Sequence, residues 1–516
     1  MFPSFVLAVW LAGLQDPAPA PVPETVPGEP VLPLRLEDVV RLVGQNSPNV
    51  RQAHLATLAN LAGIEQSEGI FDPLIFADAT YTYSESPTAG GFLSGQITSR
   101  HERRWELDQG VRGLLLTGAT YEVQFAQSYS EDNLPPSIFG FNPESDSVLS
   151  FALTQPLLKG GWQLTTEFPV RQAELAYDSS LAGLRQSAQD ALQQAVDAYW
   201  NLAFALEDVK VKEFSLQLAE ELKEVTEAKL RVGAAAEVEV VQTQADIAQR
   251  TVELLAARQV VGQAQDSLRY QIFQLEELDD WRVDVRPSSE PPEAVASALG
   301  WEDALETARR YRADLRQARV DLERFRDEWE VRRKQLLPAL NLAVTGNSLG
   351  TDRQVIDAID PVFEFLATGY SVGLAFEIPI GNRQYRGAER VARANYFLAM
   401  RILNDREHAV ASEVRDALRN INYLADQVRE TTRAREVAAR QLEAEQRRLK
   451  EGASTNFQVL EFQRDLAEAL TNERRARFGY ANAVTRLSLV QGLNWDGSAP
   501  VLPGLDGYAP DDAPME

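Results

Sequence analysis

The sequence predicts a mostly α-helical protein that also carries membrane-type β-strands, built from a duplicated helix–strand–strand–helix unit. Three observations predict it. First, the chain repeats itself: Val50-Arg51-Gln52-Ala53 is answered by Leu315-Arg316-Gln317-Ala318, and Pro73 by Pro338, both at an offset of 265. Pro156 and Pro379 are separated by 223 and Gly233 and Gly452 by 219, so the fall from 265 to 223 leaves the first copy with 42 extra residues. Second, each copy holds two segments that alternate apolar and polar residues with period two. Third, two stretches, Leu164 to Val232 and Gly387 to Glu451, are far longer than globular helices and keep apolar residues at helical spacing.

Taken in order, the N-terminus reads as a signal peptide over 1–20. Phe2 to Leu14 is mostly apolar but too short to span a bilayer, and Ala18-Pro19-Ala20 has the small-x-small form of a cleavage site, with Ala12 or Gly13 as the alternative. A proline-rich linker follows over 21–33, then a first repeat over 34–290, a second over 291–496 and a disordered acidic tail over 497–516. Beyond the N-terminus no apolar run reaches the roughly 18 residues a membrane helix needs. If the chain enters a membrane, it does so by strands.

The strands alternate as membrane strands do. Tyr81 and Tyr83 share a face with Ile75, and Leu149, Phe151 and Leu153 alternate with polar or small neighbours. Leu340, Leu342 and Val344, then Val372, Leu374 and Phe376, repeat the pattern in the second copy. These are the candidate lipid-facing positions, while Glu377 falls on the opposite, polar face. Four such strands cannot close a barrel, which needs about eight, so closure requires several chains. The extra residues lie near 85–146, where Leu116-Thr117-Gly118 separates two alternating runs and suggests an inserted hairpin. Sequence leaves open whether it is an extracellular elaboration or adds strands to the barrel. Since the second copy manages without it, replacing 87–144 by a short loop is expected to leave assembly intact.

In the long helices, Leu192, Val196, Tyr199, Ala203 and Leu206 are spaced for coiled-coil packing, as are Val414, Leu418, Ile421 and Val428. Gly233 and Gly452 fit left-handed caps that turn each helix back into a second one ending near Gln271 and Val490. Pro73, Pro156, Gly160, Pro338 and Pro379 mark strand–helix corners.

Several motifs now carry a family resemblance. Asn46-Ser47-Pro48-Asn49-Val50-Arg51-Gln52-Ala53, Arg312-Ala313-Asp314-Leu315-Arg316-Gln317-Ala318, Gln155-Pro156-Leu157-Leu158-Lys159-Gly160, the run Arg448 to Glu461 around Gly452, and Leu487-Ser488-Leu489-Val490-Gln491-Gly492 stand in order along the chain. Over about Leu34 to Asn494 the sequence resembles the outer membrane efflux proteins, the TolC-like channels. The resemblance implies a homotrimer forming one 12-stranded β-barrel in the outer membrane, four strands per chain, continued by a long periplasmic α-helical barrel. It implies a passive exit duct of a tripartite efflux or type I secretion system, with a periplasmic membrane-fusion adaptor and an inner-membrane transporter as partners. At the periplasmic tip it puts Glu239, Gln458 and Glu461 at the family's gate positions, with Leu449 and Ser454 where the family has tyrosine and arginine. Glu239 and Glu461 also suit ordinary helix starts, where the dipole favours acids.

Composition narrows the rest. A net charge of −25 repels phosphate backbones, so nucleic acid is not an expected partner. The absence of cysteine excludes disulfides and thiolate chemistry, and His54, His101 and His408 are isolated, so neither a metal site nor a cofactor is expected. No nucleophile or phosphate loop suggests an enzyme. The competing class is a periplasmic coiled-coil adaptor or scaffold, which accounts for the helices but not for the duplicated strands.

Overall fold

The computed structural model describes residues 31–88, 98–133, 141–233, 235–273 and 282–498. The expected signal peptide, most of the expected linker and the tail from residue 499 lie outside them. The first repeat runs β1 (Val31–Leu34), α1 (Leu36–Asn46), α2 (Pro48–Glu68), β2 (Leu74–Thr88), β3 (Thr98–Leu114), β4 (Thr120–Asp132), β5 (Glu144–Pro156), α3 (Gln163–Thr166), α4 (Phe168–Arg231), α5 (Glu237–Ile272) and β6 (Asp284–Pro287). The second runs α6 (Trp301–Tyr311), α7 (Ala313–Lys334), β7 (Ala339–Asp352), α8 (Asp360–Phe363), β8 (Ala367–Glu377), α9 (Arg383–Lys450) and α10 (Asn456–Val490). Two compact units divide the chain, and both repeats contribute to each. One draws on Gly44–Gln194, Glu293–Thr432 and Gly479–Glu516; the other draws on Met1–Val43, Ala195–Pro292 and Arg433–Phe478.

The first unit contains one antiparallel sheet of six strands in the order β2-β3-β4-β5-β7-β8. Four of these are the strands of the duplicated unit. The other two, β3 and β4, are the inserted hairpin, which sits between β2 and β5 rather than outside the sheet. The four strands per chain implied by the resemblance are therefore six in this protein. The physical reason is that the inserted residues continue the period-two pattern, so they satisfy their backbone groups by pairing with β2 and β5. The expectation that residues 87–144 are dispensable changes accordingly, since removing them deletes two interior strands.

Directly paired residues of an antiparallel ladder point to the same side, so the register fixes which side chains share a face. Ile75, Val111, Val123, Phe151, Gly346 and Tyr370 are linked in turn across all six strands, and Tyr81, Trp105 and Tyr129 are linked across β2, β3 and β4. The same face carries Leu149, Leu153, Leu340, Leu342, Val344, Val372, Leu374 and Phe376. The opposite face carries Asp78, Thr80, Glu106, Asp108, Gln124, Ser128, Ser150, Asn347, Ser371 and Glu377. Where small polar residues interrupt the apolar face, at Ser145, Ser147, Ser348 and Gly350, the segment 353–366 folds back over it. Ser348 Oγ donates to the Val362 carbonyl at 2.8 Å, and a methyl group on Gly350 would meet the Ala358 carbonyl oxygen at 2.1 Å. Ile356, Phe363, Phe365 and Leu366 of this segment are exposed and restore the apolar surface that the strands lack there.

Helices α6, α7, α9 and α10 of the same unit pack Leu305, Leu315, Val410, Val414, Leu418, Ile421, Tyr480 and Leu487 into one core, with Val428 partly buried against it. Thus the spaced residues of the long helix do form a seam. In the other unit, Leu222, Leu442, Leu449, Val459, Leu460 and Leu466 from α4, α9 and α10 form a second core. There β1 pairs in parallel with β6, Val31 to Asp284 through Leu34 to Pro287, so residues 31–33 are strand rather than linker. Tyr199 of α4 pins this pair: its buried hydroxyl donates to the Leu34 carbonyl at 3.1 Å and accepts from the Ser289 amide at 2.9 Å.

Replacing Tyr199 by Phe leaves the ring in place but strands the Ser289 amide, while the Leu34 carbonyl keeps the Ser288 amide at 2.9 Å and the Ser288 hydroxyl at 3.0 Å. The Tyr199→Phe protein should lose about 1–3 kcal/mol of stability in the unit that contains it. Hydrogen exchange at the amides of Leu32, Leu34, Ser288 and Ser289 is the direct readout, and protection should fall there first.

Candidate functional site

The candidate functional region comprises the sheet faces, the corners that join strands to helices, and the helical turns. Among the described residues no cluster of His, Asp or Glu has the arrangement of a metal site, and no helix is long and apolar enough to cross a membrane.

All five corner residues lie at strand–helix junctions. Pro73 and Pro338 directly precede β2 and β7, Pro156 ends β5, and Pro379 stands between β8 and α9. Gly160 has φ +79°, a left-handed conformation that an L side chain rarely adopts. The first-repeat corner bonds to the second-repeat one: the Leu157 amide donates to the Leu340 carbonyl at 2.7 Å and the Lys159 amide to the Pro338 carbonyl at 3.3 Å. The inserted hairpin closes onto the same corner. The carbonyl of Thr117, in the turn between β3 and β4, accepts from the Trp162 amide at 3.0 Å and from Gln155 Nε2 at 2.9 Å.

The second-repeat motif Arg312-Ala313-Asp314-Leu315 is a junction between helices. Arg312 makes a bidentate pair with Asp314 at 2.9 and 2.8 Å, reaches Glu413 of α9 at 2.6 Å and donates to the Val490 carbonyl of α10 at 3.2 Å. Burial by itself would raise the Asp314 pKa, but the Arg312 hydrogen bonds and charge outweigh it and hold the carboxyl below its ordinary range. Gly492, with φ +74°, lets the chain pass this junction, because a Cβ there would stand 2.6 Å from the Tyr311 carbonyl carbon. Two motifs read separately from sequence thus meet at one place.

At the helical turns, Gly233 and Gly452 have φ +75° and +74°. The Gly452 amide donates to the Leu449 carbonyl at 3.3 Å and the Ala453 amide to the Arg448 carbonyl at 2.8 Å, the paired bonds of a glycine-terminated helix. Gln458 serves the start of α10: its Oε1 accepts from the Thr455 amide at 3.4 Å while Thr455 Oγ1 accepts from the Gln458 amide at 3.3 Å, a capping box. Glu461 pairs with Arg464 at 3.0 Å. Glu239 accepts from Asn456 Nδ2 at 2.8 Å, and the same nitrogen donates to Thr226 Oγ1 at 3.0 Å. Leu449 is buried in the core of this unit, and Ser454 Oγ donates to Glu445 and to Gln458 Oε1.

Sequence reading missed two features here. Asn456 is buried and ties the start of α5 to the start of α10 through Glu239. Asp246 and Arg250 are both buried and paired at 2.6 Å, with Arg464 on the other Asp246 oxygen and the Ser215 carbonyl accepting from Arg250 at 2.7 Å. Burial lowers the Arg250 pKa, whereas the Asp246 hydrogen bond raises that of Arg464. The available signal was a polar side chain at a seam position of each helix, but its partner lies far away in sequence.

Comparison with known proteins gives a consistent answer. The profile described as outer membrane efflux protein matches residues 39–271 and 304–493. Similar solved structures include the outer-membrane channel OprN (16% identity, TM-score 0.66, covering 89% of this chain and 90% of that one). The Campylobacter jejuni CmeC outer membrane channel shares 16% identity with TM-score 0.63 over 90% of this chain and 86% of its own. The Vibrio cholerae outer membrane protein VceC shares 17% with TM-score 0.63 over 89% and 96%. No curated protein sequence matches the chain significantly.

Two outcomes test these contacts. Asn456→Ala should cost about 1–3 kcal/mol, because Thr226 and Glu239 lose a buried donor, and limited proteolysis should cut faster near 232–236 and 451–455. For Asp314, a folded pKa below the unfolded value means its contribution is present above the ordinary carboxylate range and lost as pH falls through the folded pKa. Thermal unfolding midpoints should therefore drop on acidification below about pH 4, and Asp314→Asn should flatten that acid limb.

Proposed function

Because the chain belongs to the outer membrane efflux protein family, we propose that it is an outer membrane exit duct, a homotrimer that conducts substrates passively from the periplasm to the exterior. The observation that carries this reading is the sheet, with one apolar face, one polar face and two open edges, β2 and β8. A face so largely apolar matches what lipid requires of a barrel exterior, and the polar face matches a water-filled lumen. Tyr81, Tyr83, Leu149, Phe151, Leu153, Leu340, Leu342, Val344, Val372, Leu374 and Phe376 are the lipid-facing positions in this reading, and Tyr81 with Trp105, ring centroids 4.6 Å apart, suits an interfacial aromatic girdle.

The long helices form a periplasmic helical barrel that docks a membrane-fusion adaptor and an inner-membrane transporter, from which the energy comes. Their turns at Gly233 and Gly452 form the periplasmic tip. There Glu239, held by Asn456, and Glu461, paired with Arg464, bias the lumen toward cations. A periplasmic adaptor or scaffold would share the helices but has no use for an amphipathic sheet.

Fractionation tests the reading. The protein should sediment with outer membranes, resist extraction by salt or alkali, and emerge in detergent with the protein mass of three chains. Monomeric or freely soluble protein with intact helix and strand signals would contradict it. In planar bilayers, Glu461→Gln should weaken cation preference, because it removes a carboxylate at the tip while leaving Arg464 on Asp246. An unchanged reversal potential would detach Glu461 from the ion path.

A further inference from the structure

Resting on the trimeric duct just described, we infer that the membrane pore of this protein has eighteen strands, six from each chain, and that the inserted hairpin is part of its wall. The argument begins with position. A loop elaboration outside the bilayer would leave the sheet near its rim, but β3 is paired with β2 along the whole of that strand, from Leu74 opposite Arg112 to Thr88 opposite Thr98. On its other side β4 follows β5 from Thr120 opposite Thr154 to Ser130 opposite Glu144. The hairpin is coextensive with its neighbours, and its strands of 17 and 13 residues exceed the roughly 9–11 that a tilted membrane strand needs.

Side-chain chemistry agrees. Trp105, Leu107 and Val111 of β3 and Tyr121, Val123, Phe125 and Tyr129 of β4 lie on the apolar face of the sheet, interrupted there by Gln109 and Gln127 and, toward the far end of the hairpin, by Arg103 opposite Glu131. Glu102, Arg104, Glu106, Asp108 and Glu122 lie on the polar face, where Arg104 pairs with Glu106 at 2.7 Å. A hairpin outside the membrane has no reason to keep one face mainly apolar in step with the strands beside it. Its short turn at 115–119 is also on the helix side of the sheet, bonded to the β5–α3 corner through Thr117. Short turns at the periplasmic end and longer connections at the other are the pattern of outer-membrane barrels.

Polarity permits closure. Adding two strands restores the original direction, so β8 still runs antiparallel to β2. A rotated copy can then offer its β2 to the exposed β8 of its neighbour with antiparallel pairing at each of three seams. Barrel diameter grows roughly linearly with strand number, so eighteen strands give a diameter about one and a half times that of twelve and a cross-section more than about twofold larger. The membrane segment would admit solutes that a twelve-stranded barrel excludes, and the hairpin's mixed charges would line it.

The absence of cysteine makes the test clean. Single cysteines at Glu106, Leu107, Val123 and Gln124, with Ala375 and Leu374 as references on β8, are introduced into the full chain, reconstituted in lipid vesicles and exposed to a membrane-impermeant maleimide. Glu106→Cys, Gln124→Cys and Ala375→Cys should react quickly from the lumen. Leu107→Cys, Val123→Cys and Leu374→Cys should react on the order of tenfold slower or less, since a thiol in apolar surroundings keeps its proton. If the β8 pair alternates while both hairpin pairs react throughout, the hairpin lies outside the bilayer and the inference is overturned, with the duct intact. If the β8 pair does not alternate either, the duct reading itself fails. The two hairpin pairs are independent, so one misfolded variant leaves the other decisive.

Discussion

An unpaired strand edge is the constraint on which the rest of this protein depends. β2 and β8 each present a row of backbone donors and acceptors without a strand neighbour among the described residues, and the sheet between them has an apolar face too large to leave in water. Lipid can cover the face but cannot satisfy the edges. In the proposed trimer another copy of the same sheet does both, and for that the strand number per chain must be even. Six meets this condition as well as four does, which is why a hairpin could be inserted without disturbing the strands around it. The strand–helix corners follow from the same demand: they hand the chain from a ladder that needs partners to helices that satisfy their own backbone.

The helices solve a different problem, that of keeping long rods in register. Apolar seams supply the attraction but slide easily, and polar contacts fix the position. Arg312, Asp314 and Gly492 lock one junction where α6, α7, α9 and α10 meet. Asp246, Arg250 and Arg464 lock another between α5 and α10, and Asn456 a third at the turns. Breaking one partner of such a buried set costs more than the set contributes by comparison with apolar packing. These contacts therefore specify alignment more than they add stability.

How much was legible depended on whether the signal was local. Periodicity located the four repeated strands, though each runs on past the alternating segment, and placed the ends of the long helices to within a few residues, because alternation and glycine caps are written in adjacent positions. The duplication located the insertion, since the offset between Pro156 and Pro379 differs from that between Pro73 and Pro338. It could not decide what the insertion does, because period two states that a segment is a strand and not what it pairs with. β1 escaped notice because four residues beside prolines carry no periodic signal and its partner, β6, lies far along the chain. Gln458 looked like a gate position and is also a capping residue, whereas Asn456, two positions earlier, holds Glu239 and was passed over. At such sites a single polar residue has meaning only through a partner distant in sequence.

The most direct test of this account is a map of the detergent-free trimer in lipid discs, resolved well enough to trace strands. The account predicts that Leu74–Thr88 of each chain is hydrogen-bonded antiparallel to Ala367–Glu377 of the next, with lipid density against Ile75, Phe151 and Leu374 and eighteen strands around the lumen. A map in which those two edges stay unpaired, or in which the sheet folds against its own helices away from lipid, would contradict it.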